Sequence, residues 1–120
     1  MLHGKWAAVF ALQAFMAVAT GAFGAHALAH LLAPNALSWW QTGSQYLMYH
    51  SLAGLVVAAL SGYLKNPTRI LLIFFIGNLL FAGSLCLMAL TGMTWLGMIT
   101  PLGGLSYLLA WLLLTWQLWQ

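Results

Sequence analysis

Long apolar runs, broken at a few short polar sites, are the dominant pattern of this chain. From Trp6 to Leu64, and again from Ile70 to Gln120, there is no Lys, Arg, Asp or Glu. A helix that crosses a bilayer needs about 20 mostly apolar residues, so each block holds two. Pro34-Asn35 divides the first block and Thr91-Gly92-Met93-Thr94 the second, while Lys65 and Arg69 separate the blocks. The pattern predicts four helices, over about 6–28, 39–64, 70–90 and 95–119. Connections this short force successive helices to run antiparallel. The runs lack the alternation of apolar and polar residues that the strands of a membrane barrel need. The expected fold is all-α: a single membrane domain over residues 1–120, built as a four-transmembrane-helix antiparallel bundle.

Small residues recur inside the runs. Ala17, Gly21 and Ala25 stand at i, i+4 and i+8, as do Gly54, Ala58 and Gly62. Such stripes let membrane helices approach closely, so they are the predicted packing faces. The second helix opens on polar residues. Asn35 or Ser38 is placed to cap it, and Ser38-Trp39-Trp40-Gln41 has the capping-box pattern. In Thr100-Pro101-Leu102-Gly103-Gly104, the proline withdraws an N–H from the fourth helix and two glycines follow. This predicts a helix break at Pro101, Gly103 and Gly104. A break of this kind either shapes packing or forms a binding site, as in transporters.

Composition removes whole classes of function. Of 120 residues, 64% are hydrophobic and 2% charged, against about 25% charged in a soluble domain. The chain reads as an integral membrane protein. Asp and Glu are absent, which excludes a carboxylate pair, an acidic calcium or magnesium site and a Ser-His-Asp triad. The net charge of +3 rests on Lys5, Lys65 and Arg69 alone, too sparse for nucleic acid. Cys86 is the only cysteine, so no intrachain disulfide forms. Lys5 and Ala25-His26-Ala27 outline a secretory signal, but the apolar run between them exceeds the ~7–15 residues of a signal core and reads as a span. With four spans, the positive-inside rule puts all three cations on one side and both termini in the cytoplasm. Trp39, Trp40 and Trp95 then mark the outer interface, and Trp6, Tyr63, Trp116 and Trp119 the inner one.

Candidate chemistry follows from depth. Counting ~1.5 Å per residue along each helix places His26, His50, Ser84 and Thr100 in the non-cytoplasmic half, with Asn78 nearer the midplane. Polar groups at such depths face the bundle interior or a wet cavity, so these four are the candidate polar pocket. His26 and His30 have the i, i+4 spacing of two metal ligands on one helix face. Only His50 and Cys86 remain to complete a set, no carboxylate supports it, and no metal site is expected. Haem held by His26 and His50 is opposed by their ~9 Å difference in depth. The plainer reading makes the histidines hydrogen-bonding glue between helices. No catalytic residue and no cofactor are expected.

Several separated motifs carry a resemblance. They are Gly21-Ala22-Phe23-Gly24-Ala25-His26, Trp40 with Tyr46 and His50, Ala82-Gly83-Ser84-Leu85 leading to Leu90-Thr91-Gly92, and Gly97 with Thr100-Pro101-Leu102-Gly103-Gly104. In order and spacing they resemble the domain of unknown function 423 family across essentially the whole chain. Its members are small, YgdD-like inner-membrane proteins of bacteria, with eukaryotic relatives in the transmembrane protein 256 family. The resemblance implies a multi-pass membrane protein with no established activity and no catalytic residues to carry over. Cys86 departs from the pattern, which suggests a tyrosine there. The expectation is a non-enzymatic helix-bundle protein or membrane-complex subunit in the bacterial inner membrane. Its partners would be the lipid bilayer and a second copy or another membrane protein, with no nucleic acid. The alternative is a small-solute or ion transporter, or a subunit of one, that uses the outer polar pocket.

Overall fold

The computed structural model describes residues 2–120, and among them there is no strand. Helix α1 spans Leu2–His26. A 3-10 turn at Leu28–His30 leads to α2, Pro34–Ala59. A second turn at Ser61–Tyr63 leads to α3, which runs continuously from Pro67 to Thr91. Its two α-helical parts, Pro67–Gly77 and Gly83–Thr91, are joined by a π-helical turn at Asn78–Ala82. A 3-10 stretch at Thr94–Met98 then enters α4, Thr100–Trp119.

Three stretches are long and apolar enough to cross a membrane: His3–His26, Pro67–Thr91 and Thr94–Trp119. Helix α2 matches them in length, at 26 residues, but Gln41, Thr42, Ser44, Gln45, His50 and Ser51 lower its apolar character. Neighbouring helices alternate in direction. Phe10 of α1 fills the space beside Gly54 of α2, while Trp40, at the opposite end of α2, fills the space beside Gly24. In the same way Tyr107 of α4 lies over Gly77 of α3, and Gly103 lies against the backbone of Phe81. Each pair sets a bare backbone against a bulky neighbour, the close approach that helices in lipid depend on. Lipid tails are as apolar as leucine, so packing and polar contacts hold the helices together rather than the hydrophobic effect.

All three prolines of the chain lie in the first turn of a helix. There the missing N–H is no loss and the fixed φ suits the helix. This moves the starts of α2 and α3 upstream of the predicted residues 39 and 70. Ala33, extended at φ −60° and ψ 155°, precedes Pro34, and no side chain caps α2. Asn35 instead accepts from the N–H of its neighbour Ala36 at 2.9 Å. Asn66 caps α3, its Oδ1 accepting from the Arg69 N–H at 3.2 Å. Pro101 likewise opens α4 rather than interrupting it. The N–H groups of Leu102 and Gly103 both reach the Ile99 carbonyl. Helix α3 stops at Gly92, whose φ of 73° is the left-handed conformation that favours glycine.

Burial follows a narrower seam than the predicted stripes. In α1 the buried residues are Phe10, Gln13, Ala17 and Gly24; in α4 they are Gly103, Tyr107, Ala110, Leu114 and Gln117. These steps of three, four and seven residues are the spacing of a coiled-coil seam. A stripe stepping always by four turns about 40° per step away from such a seam. Ala25 is accordingly exposed, and Gly24 makes the close contact with α2. Gly21 is also exposed, with Ser44 as its nearest neighbour across the helices. In α2, Gly54 and Ala58 pack inward. Gly62 lies beyond the end of the helix, where a Cβ would meet nothing within 4 Å.

Candidate functional site

The centre of the bundle holds one polar or aromatic side chain from each helix. Tyr107 of α4 donates its hydroxyl to Asn78 Oδ1 at 2.7 Å. Asn78 Nδ2, in the π turn of α3, donates to Gln13 Oε1 of α1 at 2.8 Å. His50 of α2 stacks on Tyr107, with ring centroids 3.5 Å apart and planes 9° from parallel. All four residues are buried. The π turn at Asn78–Ala82 widens α3 at this level, and such turns often stand at functional positions. Gly77, just before it, leaves room for the Tyr107 ring. One turn away, Ser106 donates to the Ile73 carbonyl at 2.7 Å.

His50 has a defined tautomer. Its Nδ1 lies 2.8 Å from the Tyr46 carbonyl. That oxygen can only accept, so Nδ1 carries the proton. The Nε2 of the neutral ring is then an acceptor.

Two cavities flank the polar line. The larger, about 610 Å³, lies between α2 and α4, with Tyr46, His50, Phe81, Tyr107 and Trp111 among its walls. The smaller, about 200 Å³, lies between α1 and α3 and touches Gln13, Thr20, Asn78 and Cys86.

The four residues read from the sequence as one pocket divide between three places. Ser84 and Thr100 pair with each other, their hydroxyl oxygens 2.6 Å apart, tying α3 to the start of α4. His50 shares the larger cavity with Pro101 and Gly104. His26 ends α1, is exposed, and lines neither cavity. Among the described residues no three His or Cys side chains converge. Trp40, read as an interfacial residue, is buried, and its indole N–H donates to the Thr20 carbonyl at 2.7 Å. Trp40→Phe keeps one aromatic ring, removes that bond and leaves a void beside Gly24 where the indole nitrogen side packed. It is expected to destabilise the protein by about 1–3 kcal/mol, read as an earlier unfolding midpoint in detergent.

The comparisons with known proteins agree with one another. The family described as "Protein of unknown function (DUF423)" matches residues 20–104. The chain belongs to this family. A UPF0382 membrane protein of Haemophilus influenzae is 41% identical over 117 residues, covering 96% of this chain and 94% of its own. The UPF0382 membrane protein YwdK of Bacillus subtilis is 41% identical over 107 residues, covering 87% of each. A UPF0382 membrane protein of Staphylococcus epidermidis is 44% identical over 105 residues, covering 87% of this chain and 86% of its own. No solved structure matches. The protein is thus a helical membrane protein of an uncharacterised family, like these bacterial membrane proteins. Of the central residues of this DUF423 protein, His50 and Asn78 lie inside the matched segment, and Gln13 and Tyr107 lie outside it.

Gln13 and Tyr107 were not among the residues singled out from the sequence. The seam spacing is the signal that points to them. Tyr107 stands four residues after Gly103 and three before Ala110, and Gln13 stands three after Phe10 and four before Ala17.

Proposed function

We propose that this DUF423 protein is a non-enzymatic bundle of four membrane spans in the bacterial inner membrane, with both termini cytoplasmic. It works as a structural subunit that assembles with a second copy or with another membrane protein. The observation that carries this reading is where the polar groups are used. Among the described residues every fully buried side-chain nitrogen and oxygen has a hydrogen-bond partner within the chain. Gln13, Ser84, Thr100, Ser106 and Gln117 all bond across helices. These five side chains hold the helices together.

The fourth span rests on a topological argument. Helix α2 lies antiparallel between α1 and α3, and links the far end of one to the near end of the other. If α1 and α3 cross the membrane, α2 must cross with them. Lys5, Lys65 and Arg69 then fall on one side, which the positive-inside rule makes cytoplasmic. Impermeant thiol labelling tests this on single cysteines in a Cys86→Ser background. Gly62→Cys should be shielded in intact cells and Met93→Cys labelled; the opposite pattern rejects the orientation. Assembly is tested by native mass spectrometry of protein released from its own membrane. A homo-oligomer or a complex with another membrane protein is expected, and a bare monomer at all concentrations defeats it.

The cavity at His50 favours a second reading, the transport of a small solute. A proteoliposome flux abolished by His50→Phe would place that reading first.

A further inference from the structure

The cavity between α2 and α4 holds a polar atom that the fold does not use. His50 is 6% exposed. Its Nδ1 is bonded to the Tyr46 carbonyl, and no hydrogen bond involves Nε2. No fully buried side-chain nitrogen among the described residues lacks a partner. Nε2 therefore keeps some exposed surface, and His50 is one of the residues that line this cavity. An acceptor left open inside a membrane protein is costly unless a donor meets it.

The walls narrow the class of donor. The stacked His50–Tyr107 pair faces a space bounded by Tyr46, Phe81 and Trp111. Aromatic walls suit a flat ring, held by stacking or edge-to-face contact. The volume of about 610 Å³ falls in the ~300–1,000 Å³ range of small-molecule sites. It exceeds what one ring needs and leaves room for part of a chain. Half-buried Gly104 and exposed Pro101, Leu105 and Leu108 complete the lining, so the apolar end of a ligand continues toward the outer face of α4. His50 lies well inside α2, many residues from either end, so a ligand reaches it through hydrocarbon. An acyl chain would fill the groove and leave Nε2 unmet.

We infer that this cavity is a binding site for a lipid-soluble molecule with a flat hydroxylated ring, of the phenol or hydroquinone class, whose hydroxyl donates to His50 Nε2. The site lies within a single chain and stands apart from the assembly reading. With Nδ1 holding the proton, the site distinguishes a hydroxyl from a carbonyl on the same ring. The hydroquinone has the donor that Nε2 needs, and the quinone offers a second acceptor.

The test uses the full-length protein in phosphatidylcholine nanodiscs, with binding followed by tryptophan fluorescence. The probes are a decyl-substituted benzohydroquinone kept reduced, its quinone, its dimethyl ether and decane. Saturable binding of the hydroquinone is expected, at least tenfold tighter than that of the quinone or the ether. His50→Phe keeps an aromatic ring and removes the acceptor, and should erase that preference. Gly104→Leu, at a position where a Cβ has only a 4.0 Å neighbour, should fill the cavity and abolish binding while the protein stays folded. Equal binding of hydroquinone and ether, preference for the quinone, equal binding of decane, or no saturable binding would each overturn the inference. The ligand comparison needs no variant, so it decides the matter even if His50→Phe fails to fold.

Discussion

Gly103→Ala is expected to destabilise the bundle by about 1–3 kcal/mol, the usual cost of overpacking, while Gly83→Ala is neutral or mildly stabilising. The two glycines lie on facing helices near the same π turn, but their surroundings are opposite. A Cβ on Gly103 would lie 2.8 Å from both Cα and Cβ of Phe81, and closer still to its backbone nitrogen. Backbone cannot swing aside as a flexible side chain does, so α4 must move away from α3. That movement would strain the Ser84–Thr100 and Tyr107–Asn78 hydrogen bonds, which tie the same two helices on either side of the contact. A Cβ on Gly83 would meet nothing within 4 Å, and alanine favours a helix over glycine by roughly 0.5–1 kcal/mol. Unfolding of both variants in mixed micelles checks the pair. Equal midpoints would mean that the α3–α4 contact is not set by the backbone at Gly103. Gly104→Ala should behave like Gly83→Ala, since its nearest neighbour would be the Phe81 ring at 4.0 Å.

How far the sequence could be read follows from the same physics. Helix existence depends on run length, and an apolar run has few other options in lipid; all four helices were legible on that ground. Helix ends depend on single residues. Pro34 reads equally as the centre of a loop or as the first turn of a helix, and only the extended Ala33 before it settles the choice. Pro101 looked like a break because the 3-10 stretch Thr94–Met98 ahead of it is as apolar as the helix behind it. The contact faces failed in a different way. A spacing of four is a good rule over one turn, but over two it drifts, which is why Ala25 gives way to Gly24; Gly62 leaves the interface because α2 ends at Ala59 and the chain turns there. The π turn has no local sequence signal at all. Asn78 marks its start, but a lone asparagine in an apolar run says only that a partner must exist, not that the helix widens to present it. Depth counting placed His50, Ser84 and Thr100 at similar levels. It could not say which way each side chain turns, and so it grouped His26, His50, Ser84 and Thr100 as one pocket, although His50 stacks on Tyr107 while Ser84 and Thr100 pair with each other.

Replacing Asn78 should have the largest effect of any single polar substitution. Asn78→Leu keeps the branched shape of the side chain, though leucine is larger and adds some overpacking, and it removes both roles of the amide. The Tyr107 hydroxyl loses its acceptor and Gln13 Oε1 loses its donor, in a region where all three residues are at least nine-tenths buried. Each orphaned group costs about 1–3 kcal/mol, set against the ~0.6 kcal/mol average for an interhelical polar pair in a membrane protein. The low average arises because an unfolded membrane chain finds other partners. Asn78 departs from it because its two bonds join three helices through one residue, so its loss releases α1 and α4 from α3 together. A double-mutant cycle separates the contributions. Gln13→Leu in the Asn78→Leu background should recover part of the loss, and Tyr107→Phe in that background should recover another part, because each removes an orphan. Strict additivity in both cycles would show that the three side chains act independently. Recovery by the Gln13 substitution alone would place the structural weight on the α1–α3 contact. The stacked His50 gives a further check. If Tyr107 is held in place by Asn78, then Asn78→Leu should also weaken hydroquinone binding in the α2–α4 cavity. Tyr107→Phe, which loses the hydroxyl but is still confined by Gly77 and His50, should weaken it less.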